Sequence, residues 1–100
     1  MIFNYDIYQI VNIREVDYAF MGSRYGVTPK RLDYQLIYCG SVEAKSEFNA
    51  LENLFEIFNL RHPNDYKGRS LSVSDVVVIN NKTYYCDSIG WTEFEFDKEI

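Results

Sequence analysis

The 100-residue sequence has few of the residues that build metal centres or disulfide frameworks. It contains two cysteines, one histidine and two prolines. Cys39 and Cys86 form no C-x-x-C pair, and His62 lies alone beside Pro63. Because a structural zinc site needs about four converging Cys or His ligands, the sequence predicts no metal. We expect both cysteines to be buried and reduced.

Long apolar runs are also missing. The longest are four residues, such as residues 76–79, whereas a helix needs about 20 apolar residues to span a bilayer. The first six residues, MIFNYD, have neither the basic region nor the apolar region of a secretory signal. These absences predict a cytoplasmic protein that does not enter a membrane.

Residues with catalytic potential are sparse. The five glycines are scattered and form no phosphate-cradling loop, so no cofactor is expected. Ser70, Ser72 and Ser74 lack a nucleophile elbow. A Cys–His pair would require one of the two predicted core cysteines to reach His62. The sequence therefore predicts that the chain is not an enzyme.

Aromatic residues are abundant. Nine Tyr, seven Phe and one Trp make up 17% of the chain, within a hydrophobic content of 47%. Large rings bury much area per residue, so they allow a short chain to build a core. The length and composition predict one globular domain over residues 1–100.

The apolar pattern predicts an α+β fold. Strands are expected at residues 3–13, 33–39, 76–79, 83–87 and 91–96, with a hairpin turn at Asn80-Asn81. Residues 14–20 fit either a further strand or one helical turn. The expected architecture is an antiparallel sheet or half-barrel of about five strands, with one main helix packed on one face.

One amphipathic helix is predicted between residue 46 and the His62-Pro63 stop. Either Asn49, with Glu52 three residues later, or Ser46 would cap its start. The rings expected in the core between helix and sheet are those of Phe48, Phe55, Phe58, Tyr34 and Tyr38.

Two segments resemble a known family. Residues 62–78, HPNDYKGRSLSVSDVVV, and residues 84–91, YYCDSIGW, are similar to motifs of the YodL-like domain. The resemblance implies a domain found on bacterial conjugative elements, plasmids and phages, and it brings no assigned functional residues. From the residues alone, Ser74-Asp75 and Asp87-Ser88 predict turns in which side chains cap backbone N–H groups.

Acidic charge is concentrated in two segments, although the whole chain carries only −5. One is residues 43–56, and the other is residues 87–100, of which residues 91–100 are predicted to be an acidic C-terminal edge strand. Within it, acidic and aromatic side chains alternate. This pattern favours a surface for a basic protein partner, or a strand that adds to a partner's sheet. The predicted partner-binding residues are Trp91, Glu93, Glu95 and Asp97.

Together these features favour a non-enzymatic protein-interaction factor from a phage or mobile element. The expected partner is a basic, nucleic-acid-handling host protein, such as a CRISPR effector or another defence nuclease, which the chain would inhibit. Direct nucleic-acid binding is disfavoured by the negative charge.

Two alternatives remain open. One is an accessory or regulatory YodL-like module of conjugative elements. The other is a small RNA-binding domain that uses the basic loop 61–69, with Arg61, Lys67 and Arg69 contacting phosphates.

Overall fold

The computed structural model describes residues 1–96, and the predicted Asp97 lies outside the described residues. The elements are β1 (Ile2–Ile10), β2 (Tyr34–Glu43), α1 (Glu47–Leu60), β3 (Val76–Ile79), β4 (Lys82–Cys86) and β5 (Trp91–Phe94). The strands form one antiparallel sheet in the order β2-β1-β3-β4-β5. The predicted α+β class, with five strands and one main helix, is confirmed.

Helix α1 connects β2 to β3, which lie on either side of β1 and run in the same direction as each other. The face of the sheet that the helix crosses is named here the first face. Its start is capped by Ser46, whose Oγ accepts a hydrogen bond from the amide of Asn49 at 3.1 Å. Of the two predicted caps, Ser46 is therefore the one used. The side chains of Leu51, Leu54 and Phe58 are fully buried against the sheet.

The second face of the sheet is buried as well, but no long helix covers it. Residues 11–33 fold over it with only two short 3₁₀ turns, Ser23–Tyr25 and Arg31–Asp33. Residues 14–20 form hydrogen-bonded turns, among them a bond from the Val16 amide to the Asn12 carbonyl at 3.2 Å, and the predicted strand does not occur. The second-face core consists of Ile10, Tyr34, Val76 and Tyr85, packed with Tyr8, Val16, Tyr18, Ala19, Val27, Phe94 and Phe96.

The prediction that Tyr34 and Tyr38 share one core is wrong. The pairing of β1 with β2 shifts after Ile7, so that Ile37 is an extra residue in β2. Such a bulge reverses the alternation of side chains along the strand. Tyr34 therefore lies in the second-face core, whereas Tyr38 stacks on the first face against Tyr5 and Phe58.

Two further core predictions are corrected. Phe48 and Phe55 are 62% and 43% exposed, because their position on the helix is turned away from the buried stripe of Leu51, Leu54 and Phe58. Cys39 is exposed and only Cys86 is buried. Cys39 lies on β2, a sheet edge, opposite Asp6 and outside both cores.

Candidate functional site

Part of the first acidic segment, in helix α1, lies beside the described residues of the second segment, in strand β5. Phe48, in the first turn of α1, packs its ring 6.0 Å from the ring of Tyr84 in β4. In the sheet, Tyr84 is paired with Glu93 of β5. The flank of α1 that carries Phe48 therefore faces strands β4 and β5.

The helix contributes three exposed side chains to this side. Phe48 and Phe55 are seven residues apart and so lie on the same flank, with Glu52 between them. The opposite flank faces β2 instead, because Asn53 reaches the carbonyl of Glu43 at 3.5 Å. Two apolar rings and a carboxylate are thus presented together beside β5.

Strand β5 contributes a partly buried aromatic and an exposed carboxylate. Trp91 packs against the first-face core, and Glu93 is exposed on the same side. The five residues Phe48, Glu52, Phe55, Trp91 and Glu93 are named here the acidic-aromatic flank.

The negative field of the flank reaches the groups beneath it. Burial raises the pKa of the Cys86 thiol to about 12, and the charges of Asp75, Asp87 and Glu52 add to the effect. The pKa of the Tyr84 hydroxyl is raised by burial, by its hydrogen bond to Glu47 and by the charges of Glu47 and Glu93. Cys86 and Tyr84 are therefore neutral at physiological pH and add no charge of their own beneath the flank.

The neighbouring carboxylate of Glu47 is bound by other side chains of the same chain. Glu47 accepts hydrogen bonds from Asn80 at 3.0 Å and from Tyr84 at 2.7 Å, and it lies 3.4 Å from the Lys82 ammonium. These contacts, with the Asn80 and Tyr84 bonds leading, lower the pKa of Glu47. Glu47 therefore anchors the helix to the β3–β4 hairpin rather than presenting its charge outward.

The four predicted partner-binding residues are distributed as follows. Trp91 and Glu93 lie on the flank, and Glu95 is exposed just beyond the end of β5. Asp97 is outside the described residues. The contributions of Phe48, Glu52 and Phe55 were missed, because the sequence does not reveal that α1 and β5 are neighbours.

The predicted basic loop does not present three free cations. Arg61 lies 3.3 Å from Glu56 in an exposed ion pair. The Arg69 guanidinium donates to the carbonyl of Ile10 at 3.0 Å. Of the three residues, Lys67 is exposed and makes no hydrogen bond or ion pair among residues 1–96.

The first sequence motif has a structural role. The buried amide of Gln9 donates to the carbonyl of Arg69 at 3.0 Å and to Asp75 Oδ2 at 3.1 Å, and its Oε1 accepts from the Arg69 amide at 3.0 Å. Asp75 Oδ2 also accepts from the Ser72 amide at 2.7 Å. The motif therefore ties loop 66–75 to strand β1, and the predicted capped turn is confirmed.

The carboxyl group of Asp75 is buried but only one of its two oxygens is hydrogen-bonded within residues 1–96. Its Oδ1 atom is buried and has no hydrogen-bond partner among the described residues. Burial raises the pKa of Asp75 to about 7, against the opposing effect of the hydrogen bonds from Ser72 and Gln9.

The second motif, residues 84–91, connects β5 by hydrogen bonds to residues 11–33, named here the covering segment. Asp87 accepts hydrogen bonds from the amide of Ser23 at 2.8 Å, from the Ser23 hydroxyl, from the Ser88 amide at 3.2 Å and from the Thr92 hydroxyl at 2.6 Å. Burial alone would raise the pKa of Asp87, but these bonds outweigh it and lower the pKa. This turn also is capped as predicted.

The other recesses formed by residues 1–96 bring together few groups that could bind a metal or catalyse a reaction. A shallow depression of about 480 Å³ lies on the covering segment, between Glu15 and Asp33. Among these residues no three His, Cys, Asp or Glu side chains converge as a metal site would require. No helix within the described part of the chain is long and apolar enough to cross a membrane.

Residues 1–96 form a small α+β domain whose helix α1 leaves one flank of the sheet open to solvent. The chain belongs to the YodL-like domain family, whose model matches residues 4–96. The resemblance carried by residues 62–78 and 84–91 is therefore confirmed. No curated protein and no solved structure is significantly similar to the chain.

Proposed function

We propose that this chain is a non-enzymatic protein-interaction domain that binds a basic partner through the acidic-aromatic flank. The observation that carries the proposal is the convergence of Glu52 and Glu93, with exposed rings beside them. Aromatic rings supply contact area at a low cost in side-chain entropy, and carboxylates of one sign select a cationic surface.

The partner is proposed to be a host protein that handles nucleic acid, and the domain to inhibit it. A groove that binds phosphates is lined with Lys and Arg. Exposed carboxylates such as Glu52 and Glu93 complement such a groove and speed the encounter. This favours an anti-defence role, with a CRISPR effector or another defence nuclease as the target class, over an accessory role in conjugation.

The RNA-binding alternative is less well supported. Two of its three cations are engaged within the chain, Arg61 with Glu56 and Arg69 with the carbonyl of Ile10. Lys67 is the one of the three without such a contact among residues 1–96, and one cation offers little of the phosphate neutralisation on which RNA affinity depends.

The test is capture of a partner by matched charge-reversal variants. Purified protein is immobilised and exposed to nuclease-treated bacterial lysate as wild type, as E52K/E93K and as E15K/E43K. Both double variants change the net charge by the same amount, but Glu15 and Glu43 lie away from the flank. We expect a basic protein to be retained by the wild type and E15K/E43K. The flank variant should bind it at least about tenfold more weakly, and more so at low salt.

Two results would reject the proposal. One is equal retention by the wild type and E52K/E93K, which would place the interface elsewhere. The other is recovery of nucleic acid alone from untreated lysate, with nothing retained after nuclease. Circular dichroism of each variant confirms that loss of capture is not loss of folding.

A further inference from the structure

Among residues 1–96, nothing pairs with the outer edge of strand β5. β5 forms backbone hydrogen bonds with β4 on its inner side, and it is the last strand of the sheet. Within residues 1–96, no backbone hydrogen bond outside the sheet pairs involves residues 91–96. Its outward amides and carbonyls are therefore available to another strand.

The two edges of the sheet differ in charge. The other edge strand, β2, has no charged side chain between residues 34 and 42. On the β5 edge, Glu93 and Glu95 are both exposed, and no Lys or Arg lies within residues 91–96. Edge charges of one sign repel a second copy of the same strand, but they attract a strand of opposite charge.

We propose that the β5 edge accepts an extended basic segment of the partner as a sixth strand. The proposal rests on the proposed function and specifies how the partner is bound. An added strand would lie about 4.8 Å from β5, with its alternate side chains on opposite faces. The identity of the occupant follows from charge complementarity with Glu93 and Glu95.

The side chains of β5 specify which residues the added strand should carry. Trp91 and Glu93 point to the helix-covered face, the face that also carries Glu52. Lys or Arg at alternate positions would stand opposite Glu93, with the aliphatic stem lying along Trp91. Thr92 and Phe94 on the other face would receive small or apolar residues. The expected ligand is therefore an alternating basic and uncharged strand.

The experiment uses the full chain and a defined probe. The probe is the peptide Lys-Thr-Lys-Val-Lys-Thr-Lys-Val-Lys, and its control is the same peptide with alternate backbone amides methylated. Methylation leaves the charge unchanged but removes the amides that pair with a strand edge. Binding is followed by NMR on the ¹⁵N-labelled chain, with amide exchange measured for both edges.

We expect the unmethylated peptide to shift the amides of residues 91–95 and slow their exchange, and to leave residues 34–43 unaffected. The methylated peptide should bind at least about tenfold more weakly. The inference is overturned by equal binding of the two peptides, by protection at β2 instead of β5, or by no binding at millimolar peptide.

Failure of the strand proposal and failure of the proposed function are distinguishable. Equal binding of both peptides, abolished by E52K/E93K, would keep the flank as a binding surface and reject strand addition. Loss of lysate capture in E52K/E93K together with no peptide binding would do the same. Unchanged capture in E52K/E93K rejects the proposed function, whatever the peptide does.

Discussion

The helix-covered face and the loop-covered face of the sheet bury aromatic side chains by different means. On the first face, Phe58 from α1 packs edge-on against Tyr66 at 4.7 Å, within a cluster of rings. On the second face, Tyr hydroxyls tie an irregular segment down: Tyr85 donates to the carbonyl of Met21 at 2.6 Å, and Tyr18 to Asp33 at 2.6 Å. A sheet with one helix is thus covered on both faces.

The difference explains where aromatic rings remain exposed. The second face is closed by residues 11–33 and by Phe96, whose ring lies 5.2 Å from that of Tyr34. The first face is covered by a single helix, which leaves Phe48 and Phe55 exposed beside β5. The flank stays open because one helix is narrower than a five-stranded sheet.

The largest expected effect concerns the helix-covered face. F58A should lower the free energy of unfolding by about 3–5 kcal/mol, because Phe58 is fully buried among aromatic rings. The control F55A removes the same ring from an exposed site and should cost less than about 1 kcal/mol. Urea unfolding followed by fluorescence measures both. Equal losses would show that the two faces of α1 are not distinguished as described.

The next effect concerns the junction between loop 66–75 and the sheet. Because the pKa of Asp75 is raised to about 7 in the fold from an ordinary value of 3.8, the folded chain binds more protons than the unfolded chain between those pH values. Stability from this group is present at low pH and is lost as pH rises to about 7. Between pH 4 and pH 8, the free energy of unfolding of the wild type should therefore fall by on the order of 3 kcal/mol more than that of D75N.

Urea unfolding at the two pH values gives the comparison. Parallel changes in the wild type and D75N would show that Asp75 is ionised in the fold throughout this range. The subtraction is needed because Asp87 and Glu47, whose pKa values are lowered, make the opposite contribution. Their stability is lost as pH falls through their folded pKa values.

The smallest effect concerns the loop-covered face. Y85F removes the hydrogen bond to the Met21 carbonyl and should cost about 1 kcal/mol. The control Y25F alters an exposed hydroxyl and should change stability by less than about 0.5 kcal/mol. Limited proteolysis should cut residues 11–33 faster in Y85F, with α1 unchanged. If cleavage rates in Y85F and Y25F are equal, the tyrosine hydroxyls do not hold the covering segment.

Local patterns predicted part of this architecture. The amphipathic pattern between residue 46 and Pro63 placed the helix. Asn80-Asn81 placed the hairpin, where both residues adopt positive φ of 53° and 64°. Such signals depend on neighbours in sequence, so a single chain displays them.

Structural features that depend on contacts between residues far apart in the sequence could not be predicted. The bulge at Ile37 moved Tyr34 to the other face, and no residue near it marks the change. The position of β1 between β2 and β3 follows from strand pairing across the chain, and with it the exposure of Cys39 on the edge strand β2. For the same reason Trp91 and Glu93 could be predicted as flank residues, but their neighbour Glu52 on α1 could not.

Carboxyl footprinting of the complex with the captured partner would show whether the acidic-aromatic flank is the contact surface. Labelling is compared between the free and bound chain at Glu52, Glu93 and Glu95, with Glu15 and Asp17 of the covering segment as internal references. The flank carboxylates should be protected at least about fivefold on binding, as expected for side chains buried in an interface core. Glu15 and Asp17 should be unchanged. Protection of Glu15 and Asp17 with unchanged labelling of Glu52 and Glu93 would contradict the account.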